Sequence, residues 1–181
     1  MFKFGKGVDK KIKEIVKKLP KNGEVLDLGS GLGGNAIFLS EQGFKVTCLD
    51  KDEEVIKIIK KEHPEINALN KDILDFDFPK NKYNLVIARA VLNFFELGDV
   101  RIIINKIIKS LEENGLFYLT VSSDKDSSFS KRLDMHFFNK NELNEFFKEN
   151  KILEIEEMTI NDNHPPLGEH KHKIIKMLVE K

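Results

Sequence analysis

The sequence lacks several features that would point to particular classes of protein. Its 181 residues include one cysteine, Cys48, which excludes a disulfide within the chain and a metal site built from cysteine pairs. Lysine plus arginine and aspartate plus glutamate number 30 each, so the formal net charge is zero and a broad basic groove for nucleic acid is not expected. Neither a signal peptide nor a run of about 18 apolar residues is present, which predicts a soluble, cytoplasmic protein without a membrane partner.

The length and the even composition of the chain predict one domain. The 181 residues suffice for a sizeable core, and no internal repeat, linker or second unit is evident. We therefore expect a single domain over residues 1–181. Within it, residues 1–22 would form an N-terminal helix, capped by Asp9, and a segment that could act as a flap over a ligand. A monomer and a homodimer both remain open.

The most informative stretch is rich in glycine and lies between an apolar run and a helical pattern. Val25–Leu28 predicts a buried strand, three glycines follow at alternate positions, and a helical pattern begins at Ala36. Glycine allows a tight turn and lets a ligand approach the backbone, and the start of a helix offers unpaired N–H groups. Strand, turn and helix together predict a site for a nucleotide-like ligand.

Two nucleotide-binding patterns fit this stretch. The dinucleotide pattern G-x-G-x-x-G, with an acid about 20 residues later, is met by Gly29, Gly31, Gly34 and Asp50. The pattern acid-x-Gly-x-Gly-x-Gly is met by Asp27, Gly29, Gly31 and Gly33. Asp27 favours the second pattern, because a charged residue at the end of a buried strand needs a partner. A ligand ammonium group would supply one, whereas a pyrophosphate would be repelled; an Asp27 that only caps the next turn is the alternative.

The second pattern resembles motif I of the class I S-adenosylmethionine-dependent methyltransferases. The resemblance implies that Asp27 faces the methionine ammonium group and that Asp50 accepts hydrogen bonds from both ribose hydroxyls. It also implies that Asp72 accepts a hydrogen bond from the adenine amino group and that Ile73 lines the adenine pocket. The alternatives are a helix cap for Asp50 and a turn cap for Asp72.

Apolar runs alternate with helical patterns along the chain, which predicts a parallel sheet with helices on both faces. Seven strands are expected, within Val25–Leu28, Lys45–Asp50, Ile66–Asn70, Tyr83–Ala88, Leu116–Val121, Ile152–Met158 and Ile174–Val179. The last two are joined by a predicted loop, Asn161–Lys171, which suggests an antiparallel pair. The resemblance thus implies a Rossmann-like α/β class I methyltransferase fold, with a mostly parallel seven-stranded sheet whose last strand is antiparallel.

Within this superfamily the sequence is similar to the small tellurite-resistance (TehB-type) methyltransferases. The similar stretches are LDLGSGLGGNAIFLSEQGFKVTCLDKD, YNLVIARAVLNFF and FFNKNEL, together with the terminal Met177–Lys181. Such enzymes methylate tellurite, selenite or similar small acceptors, and a histidine and arginines near their last strand are associated with the acceptor site. Only His164 and His170 occupy a comparable stretch here, and no arginine follows Arg132.

These assignments predict a site. S-adenosyl-L-methionine, and the product S-adenosyl-L-homocysteine, would be bound by Asp27, Gly29, Ser30, Gly31, Gly33, Asn35, Asp50, Lys51, Asp72, Ile73 and Arg89. The acceptor would contact Asn93, Phe94 and His170, because ligands gather at the carboxyl ends of parallel strands. Arg89 could orient an anion and His164 could take a proton near neutral pH, which makes them the candidate catalytic residues. No metal site is predicted.

The expected activity is methyl transfer by in-line displacement to a small-molecule acceptor, such as a chalcogen oxyanion or a thiol. One alternative is an NAD-dependent oxidoreductase, although little chain remains to build its catalytic domain. A second alternative is a protein that binds S-adenosylmethionine without catalysis. For Arg89 the alternative is a surface salt bridge, and for the three histidines His164, His170 and His172 it is a loop without a site role.

Overall fold

The computed structural model describes residues 8–127, 134–164 and 168–181, and the side chains of residues 162–170 lie outside that description. The helices in these ranges are α1 (Lys10–Ile15), α2 (Gly34–Glu41), α3 (Glu53–Glu62), α4 (Leu97–Ser110) and α5 (Lys140–Phe146). The strands are β1 (Glu24–Leu28), β2 (Lys45–Asp50), β3 (Asn67–Asn70), β4 (Tyr83–Arg89), β5 (Leu111–Ser122), β6 (Lys151–His164) and β7 (Gly168–Glu180). Short 3-10 turns, Val16–Lys18 and Leu92–Phe94, follow α1 and β4.

The seven strands form one sheet in the order β3-β2-β1-β4-β5-β7-β6. The strands β1 to β5 pair in parallel, and β7 runs antiparallel to both of its neighbours, β5 and β6. All seven predicted strands are present, and the predicted antiparallel last strand is confirmed. The strand order reverses between β1 and β4, so the carboxyl ends of these two strands border the crevice in which open α/β sheets bind ligands.

Helices cover both faces of the sheet, as predicted. On one face α1, α2 and α3 pack over a cluster that includes Ile12, Leu39 and Ile59. On the other face α4 and α5 pack over a cluster that includes Ile104 and Phe147. Successive residues along β1 and β4 belong to opposite clusters, as the pleat of a strand requires.

Polar residues before the helices explain where several of them begin. The carboxylate of Asp9 accepts a hydrogen bond from the Lys11 backbone amide at 2.9 Å, and Asp52 and Asn139 cap α3 and α5 in the same way. Asp99 does not cap α4. That helix begins at Leu97 after Glu96, and Asp99 lies within its first turn, where its charge still favours the positive helix end.

The prediction of a loop over Asn161–Lys171 is wrong for most of this range. Strand β6 continues to His164 and β7 begins at Gly168, with paired backbones between them. Residues 165–167 lie outside the described ranges. Because Ser122, the last residue of β5, pairs with Ile174, residues 159–164 and 168–173 project beyond the carboxyl edge of β5. We call this projection the β6–β7 hairpin; its backbone hydrogen bonds extend the sheet where the polar composition had suggested a loop.

In the segment between β5 and α5, residues 128–133 are not described. The part before them is anchored. The buried carboxylate of Asp126 accepts a hydrogen bond from the Lys173 backbone amide, and the Ser123 backbone amide donates to the Lys173 carbonyl at 2.9 Å.

In the described ranges, every helix is too short or too polar to cross a membrane.

Candidate functional site

The glycine turn at the carboxyl end of β1 has the conformation that a ligand loop needs. Gly29, Gly31 and Gly33 have φ values of +64°, +52° and +77°, a region that side chains disfavour. A Cβ atom on Gly29 would lie 2.5 Å from Cγ2 of Val91. A Cβ atom on Gly31 would have no neighbour within 4 Å, so the space over this glycine is open. Gly29 therefore serves packing, and Gly31 borders the space available to a ligand.

Asp27 lies at the base of this turn, between Cys48 of β2 and Ile87 of β4. Its side chain is buried, and the Oδ2 atom has no hydrogen-bond partner in the described part of the chain. Burial raises the pKa of Asp27 to about 7, although the charge of Arg89 opposes this rise. A carboxylate in this condition is a suitable partner for a cation that enters the site.

Asp50, at the end of β2, is held beside the glycine turn. Its Oδ2 accepts a hydrogen bond from the Gly31 amide at 2.8 Å, and its Oδ1 accepts one from the Asp52 amide at 3.0 Å. Each carboxylate oxygen can accept a further bond, so both remain usable by a ligand. The side-chain amide of Asn70 donates to the carbonyls of Asp50 and Lys51, which fixes the turn after β2 against β3. The Lys51 side chain is exposed.

Asp72 and Ile73 follow β3 at the same edge of the sheet. The Oδ1 atom of Asp72 accepts a hydrogen bond from the Leu74 amide at 2.9 Å, so the turn-capping interpretation holds for this oxygen. Ile73 is buried in the core cluster. The adenine contacts of this pair stay a prediction, which the partial exposure of Asp72 allows.

Arg89, the last residue of β4, does not form the surface salt bridge considered as its alternative. Its Nη1 donates to the Oδ1 atom of Asn35 at 3.2 Å, and its Nε lies 3.7 Å from the Oδ2 atom of Asp9. Asn35 is buried in the first turn of α2. The structure thus brings together two predicted residues, Arg89 and Asn35, with one, Asp9, that was predicted only to cap a helix.

Asn93 and Phe94, predicted to contact the acceptor, differ in their surroundings. Asn93 is buried, donates to the His136 carbonyl and accepts from the Ser122 amide at 3.1 Å, so its side chain fastens the segment after β4 to the end of β5. Phe94 is 44% exposed. Phe94 is therefore the member of the pair that is accessible to a ligand.

The predicted histidines His164 and His170 lie in the β6–β7 hairpin, and their side chains are outside the described part. Their backbones pair with Gly168 and Asp162. His172, for which no role was predicted, places its Nδ1 3.2 Å from the buried carboxylate of Asp126. These positions bring the three histidines to the carboxyl side of the sheet, where the glycine turn also lies.

Sequence reasoning missed the surroundings of Asp9. Its carboxylate accepts hydrogen bonds from the Tyr118 hydroxyl at 3.1 Å and from the Lys176 Nζ at 3.2 Å. Tyr118 and Lys176 are 109 and 167 residues away in sequence. The sequence signal at Asp9 was that of a helix cap, and no local pattern could place it beside Arg89.

The single cysteine, Cys48, is expected to be unreactive at neutral pH. Cys48 is buried in β2, and burial together with the neighbouring charge of Asp27 raises the pKa of its thiol to about 12, although the Ser30 hydroxyl opposes the shift. At neutral pH the thiol is therefore not ionised, and Cys48 does not supply a nucleophile.

Comparison with known proteins identifies the family. Residues 6–176 match the model of the family described as tellurite resistance protein TehB. A protein named probable S-adenosyl-L-methionine-dependent methyltransferase TehB, from Haemophilus influenzae (strain 10810), is 31% identical over 142 residues, which are 74% of this chain and 48% of that protein. The chain thus spans about half the length of the curated TehB relative.

Two solved structures share the fold. The crystal structure of TehB from Haemophilus influenzae has a TM-score of 0.81 and 24% identity, and the match covers 96% of this chain and 62% of that one. An S-adenosylmethionine-dependent methyltransferase from Methanosarcina mazei also has a TM-score of 0.81, with 15% identity and coverage of 97% and 98%. The predicted class I methyltransferase fold is confirmed. With the family match over residues 6–176, the chain belongs, as its sequence predicted, to the TehB family of S-adenosylmethionine-dependent methyltransferases.

Proposed function

We propose that this domain transfers the methyl group of S-adenosyl-L-methionine to a small-molecule acceptor, such as a chalcogen oxyanion or a thiol. The observation that carries the proposal is the unpartnered Oδ2 of buried Asp27, at the end of the strand that leads into the glycine turn with open space over Gly31. A buried carboxylate oxygen without a partner is costly, so a cationic group of a ligand is expected next to it. The ammonium group of a methionine moiety is such a cation.

The surrounding residues are suited to bind the ribose and the base of S-adenosyl-L-methionine. The backbone of the turn Gly29–Gly33 can approach a ligand closely, since Gly31 has no side chain. Asp50 retains acceptor capacity for two ribose hydroxyls, because each of its oxygens makes one internal hydrogen bond. Asp72 and Ile73 follow β3, the strand next to β2 in the sheet, and would contact the base.

The chemistry asks little of the protein beyond positioning. When bound, the cofactor supplies an activated methyl group on a sulfonium, so the transfer is an in-line displacement that depends on the placement of the acceptor and the exclusion of water. Burial keeps the pKa of Tyr118 above its usual range and that of Cys48 at about 12, so neither residue is ionised at neutral pH. We therefore assign no covalent step to the chain.

The acceptor site is proposed at the carboxyl end of β4. Arg89 contributes positive charge there, and exposed Phe94 can shield the reacting atoms from water. Asn93 fixes the backbone of the segment after β4 through its hydrogen bond to the His136 carbonyl. The β6–β7 hairpin, with His164 and His170, would close the far side. The charge of Arg89 and the zero formal net charge of the chain favour a small anion or a polarisable nucleophile over a polymer.

A binding experiment tests the cofactor assignment. Isothermal titration of the protein with S-adenosyl-L-homocysteine should show saturable binding, and titration with NAD should show none, because Asp27 would repel a pyrophosphate. Binding of NAD without any response to S-adenosyl-L-homocysteine would contradict the proposal and favour the oxidoreductase alternative.

A labelling experiment tests the acceptor. Radiolabelled S-adenosyl-L-methionine would be supplied with small thiols, selenite, tellurite, tRNA or a protein extract. We expect methylation of a small acceptor. Salt-sensitive labelling of tRNA alone would contradict this, and cofactor binding without transfer to any acceptor would favour a non-catalytic binding protein.

A further inference from the structure

Asp9 has more charged and polar partners than a helix cap requires. Besides the Lys11 amide of its own helix, it contacts Tyr118 of β5, Lys176 of β7 and Arg89 of β4. Only 6% of its side chain is exposed. Burial acts to raise its pKa, but the Lys11 amide and the charges of Lys176 and Arg89 outweigh burial and lower it. Asp9 therefore stays ionised, and its carboxylate interacts with side chains from three strands, β4, β5 and β7.

Arg89 is the partner that links Asp9 to the cofactor cleft. Its guanidinium reaches from Asp9 at the start of α1 to Asn35 at the start of α2. Its charge is also felt by Asp27, whose unpartnered oxygen is the proposed acceptor for the methionine ammonium. Arg89 thus lies within electrostatic reach of two buried carboxylates, and only Asp9 is within ion-pair distance in the described structure.

A direct pair between Arg89 and Asp27 would defeat cofactor binding. A guanidinium that neutralised Asp27 would occupy the position of the cofactor ammonium and remove the charge that attracts it. The contact of Arg89 with Asp9 opposes this rearrangement, because a move of Arg89 to Asp27 would break the ion pair with the Asp9 carboxylate.

We propose that Asp9 is a positioning residue that holds Arg89 away from Asp27, and so keeps the Asp27 carboxylate available to the ammonium group of the cofactor. In this role Asp9 acts through Arg89 and needs no contact with the cofactor or the acceptor. The N-terminal helix α1 thereby becomes part of the cofactor site through one side chain. The inference rests on the cofactor part of the proposed function and is independent of the acceptor.

A double-mutant cycle tests this role. Asp9→Asn removes the charge but retains a side chain that caps helices well. At about pH 8.5, where Asp27 is ionised, Asp9→Asn should weaken binding of S-adenosyl-L-homocysteine about tenfold, a coupling of about 1.4 kcal/mol within one charge network. In an Arg89→Met background the same substitution should change affinity less than about twofold. An equal loss in both backgrounds would overturn the proposal, because a purely structural role of Asp9 does not need Arg89.

Two further variants make the test independent of the stability of Asp9→Asn. Asp99→Asn makes the same change in the first turn of α4 and should leave affinity unaltered. Lys176→Gln removes a cation that competes with Arg89 for Asp9, so affinity should stay the same or rise. Weaker binding by Lys176→Gln would contradict the proposal even if Asp9→Asn did not fold.

The apo protein gives a readout that needs no cofactor. In Asp9→Asn, the approach of Arg89 should lower the pKa of Asp27, so the thermal stability of this variant should fall less than that of the wild type between pH 5 and about pH 8. Asp50 and Cys48 also face Asp27 and are unchanged in both proteins. Parallel stability curves would overturn the inference. Failure of the wild type to bind S-adenosyl-L-homocysteine would instead count against the proposed function.

Discussion

The backbone amide of Gly31 donates a 2.8 Å hydrogen bond to the Oδ2 atom of Asp50, 19 residues later in the sequence. This bond joins the glycine turn after β1 to the acid that ends β2. The two parts that would hold the methionine and ribose moieties are therefore assembled before a ligand arrives. Such preorganisation reduces the entropy lost on binding.

Substitution of Asp50 should affect binding twice. Asp50→Ala removes both the proposed ribose acceptor and the bond to Gly31, so the affinity for S-adenosyl-L-homocysteine should fall by about 1.5–3 kcal/mol. Calorimetric titration measures the change, with circular dichroism as the check on folding. A folded variant with wild-type affinity would reduce Asp50 to the cap of the turn before α3.

Two glycines of the turn should respond differently to the same substitution. Gly31→Ala places a methyl group in open space, so it should cost about 1–2 kcal/mol of stability from its positive φ, and Gly31→Val should abolish cofactor binding by filling that space. Gly29→Ala should destabilise the fold more, because its Cβ would lie 2.5 Å from Val91. Thermal unfolding and titration separate the two effects.

A second substitution checks the cause. Val91→Ala should recover part of the stability lost in Gly29→Ala and should not restore binding to Gly31→Val. Lack of recovery would mean that the close approach of Val91 does not explain the requirement for glycine at position 29.

Asp27 should make the apo protein less stable as the pH rises. Its pKa is about 7 in the folded protein against 3.8 for an ordinary aspartate, so protons bind more tightly to the folded state. Its contribution to stability is complete below about pH 4 and is lost as the pH rises to about 7. Asp27→Asn should therefore be more stable than the wild type at pH 8, by roughly 2–4 kcal/mol, and similar to it near pH 4.

The same variant should lose cofactor affinity, since a neutral amide cannot pair with an ammonium group. Denaturant unfolding at both pH values and titration with S-adenosyl-L-homocysteine provide the measurements, with Asp72→Asn as a partly exposed control for the stability arm. A stability difference that does not change with pH would show that Asp27 is not the buried acid described above.

Arg89 should matter more for the acceptor than for the donor. Arg89→Ala should lower turnover or acceptor affinity while S-adenosyl-L-homocysteine binds nearly as well at about pH 8.5, because Asp27 remains available. Steady-state kinetics at varied acceptor concentration would measure this, with Arg101→Ala as the control, an exposed arginine of α4 that lies over the Phe146 ring. Unaltered kinetics in Arg89→Ala would remove Arg89 from the acceptor site.

The features that could be predicted from the sequence are those that depend on a local sequence pattern. The strand before Gly29, the positive-φ glycines and the acid at Asp50 each follow from neighbouring residues. The contact of Arg89 with Asp9 could not be predicted in this way, because these two residues meet only after the sheet has formed. Asn93 shows the same limit: its position after β4 was predictable, but its bonds to Ser122 and His136 depend on tertiary packing.

The β6–β7 hairpin was missed for a different reason. Its proline pair and polar residues are typical of loops, yet the backbone pairing of residues 159–164 with 168–173 continues the sheet. Cross-strand hydrogen bonding from the established part of the pair outweighed local composition there.

The contact between Gly29 and Val91 has a consequence for how this protein can change. Val91 belongs to the segment after β4 that lines the proposed acceptor site, and its methyl groups occupy the volume that a side chain at position 29 would need. Variation that reshapes this segment for a new substrate is therefore constrained at one position by the loop that holds the donor. Engineering of acceptor preference has most freedom at exposed Phe94 and least at Val91.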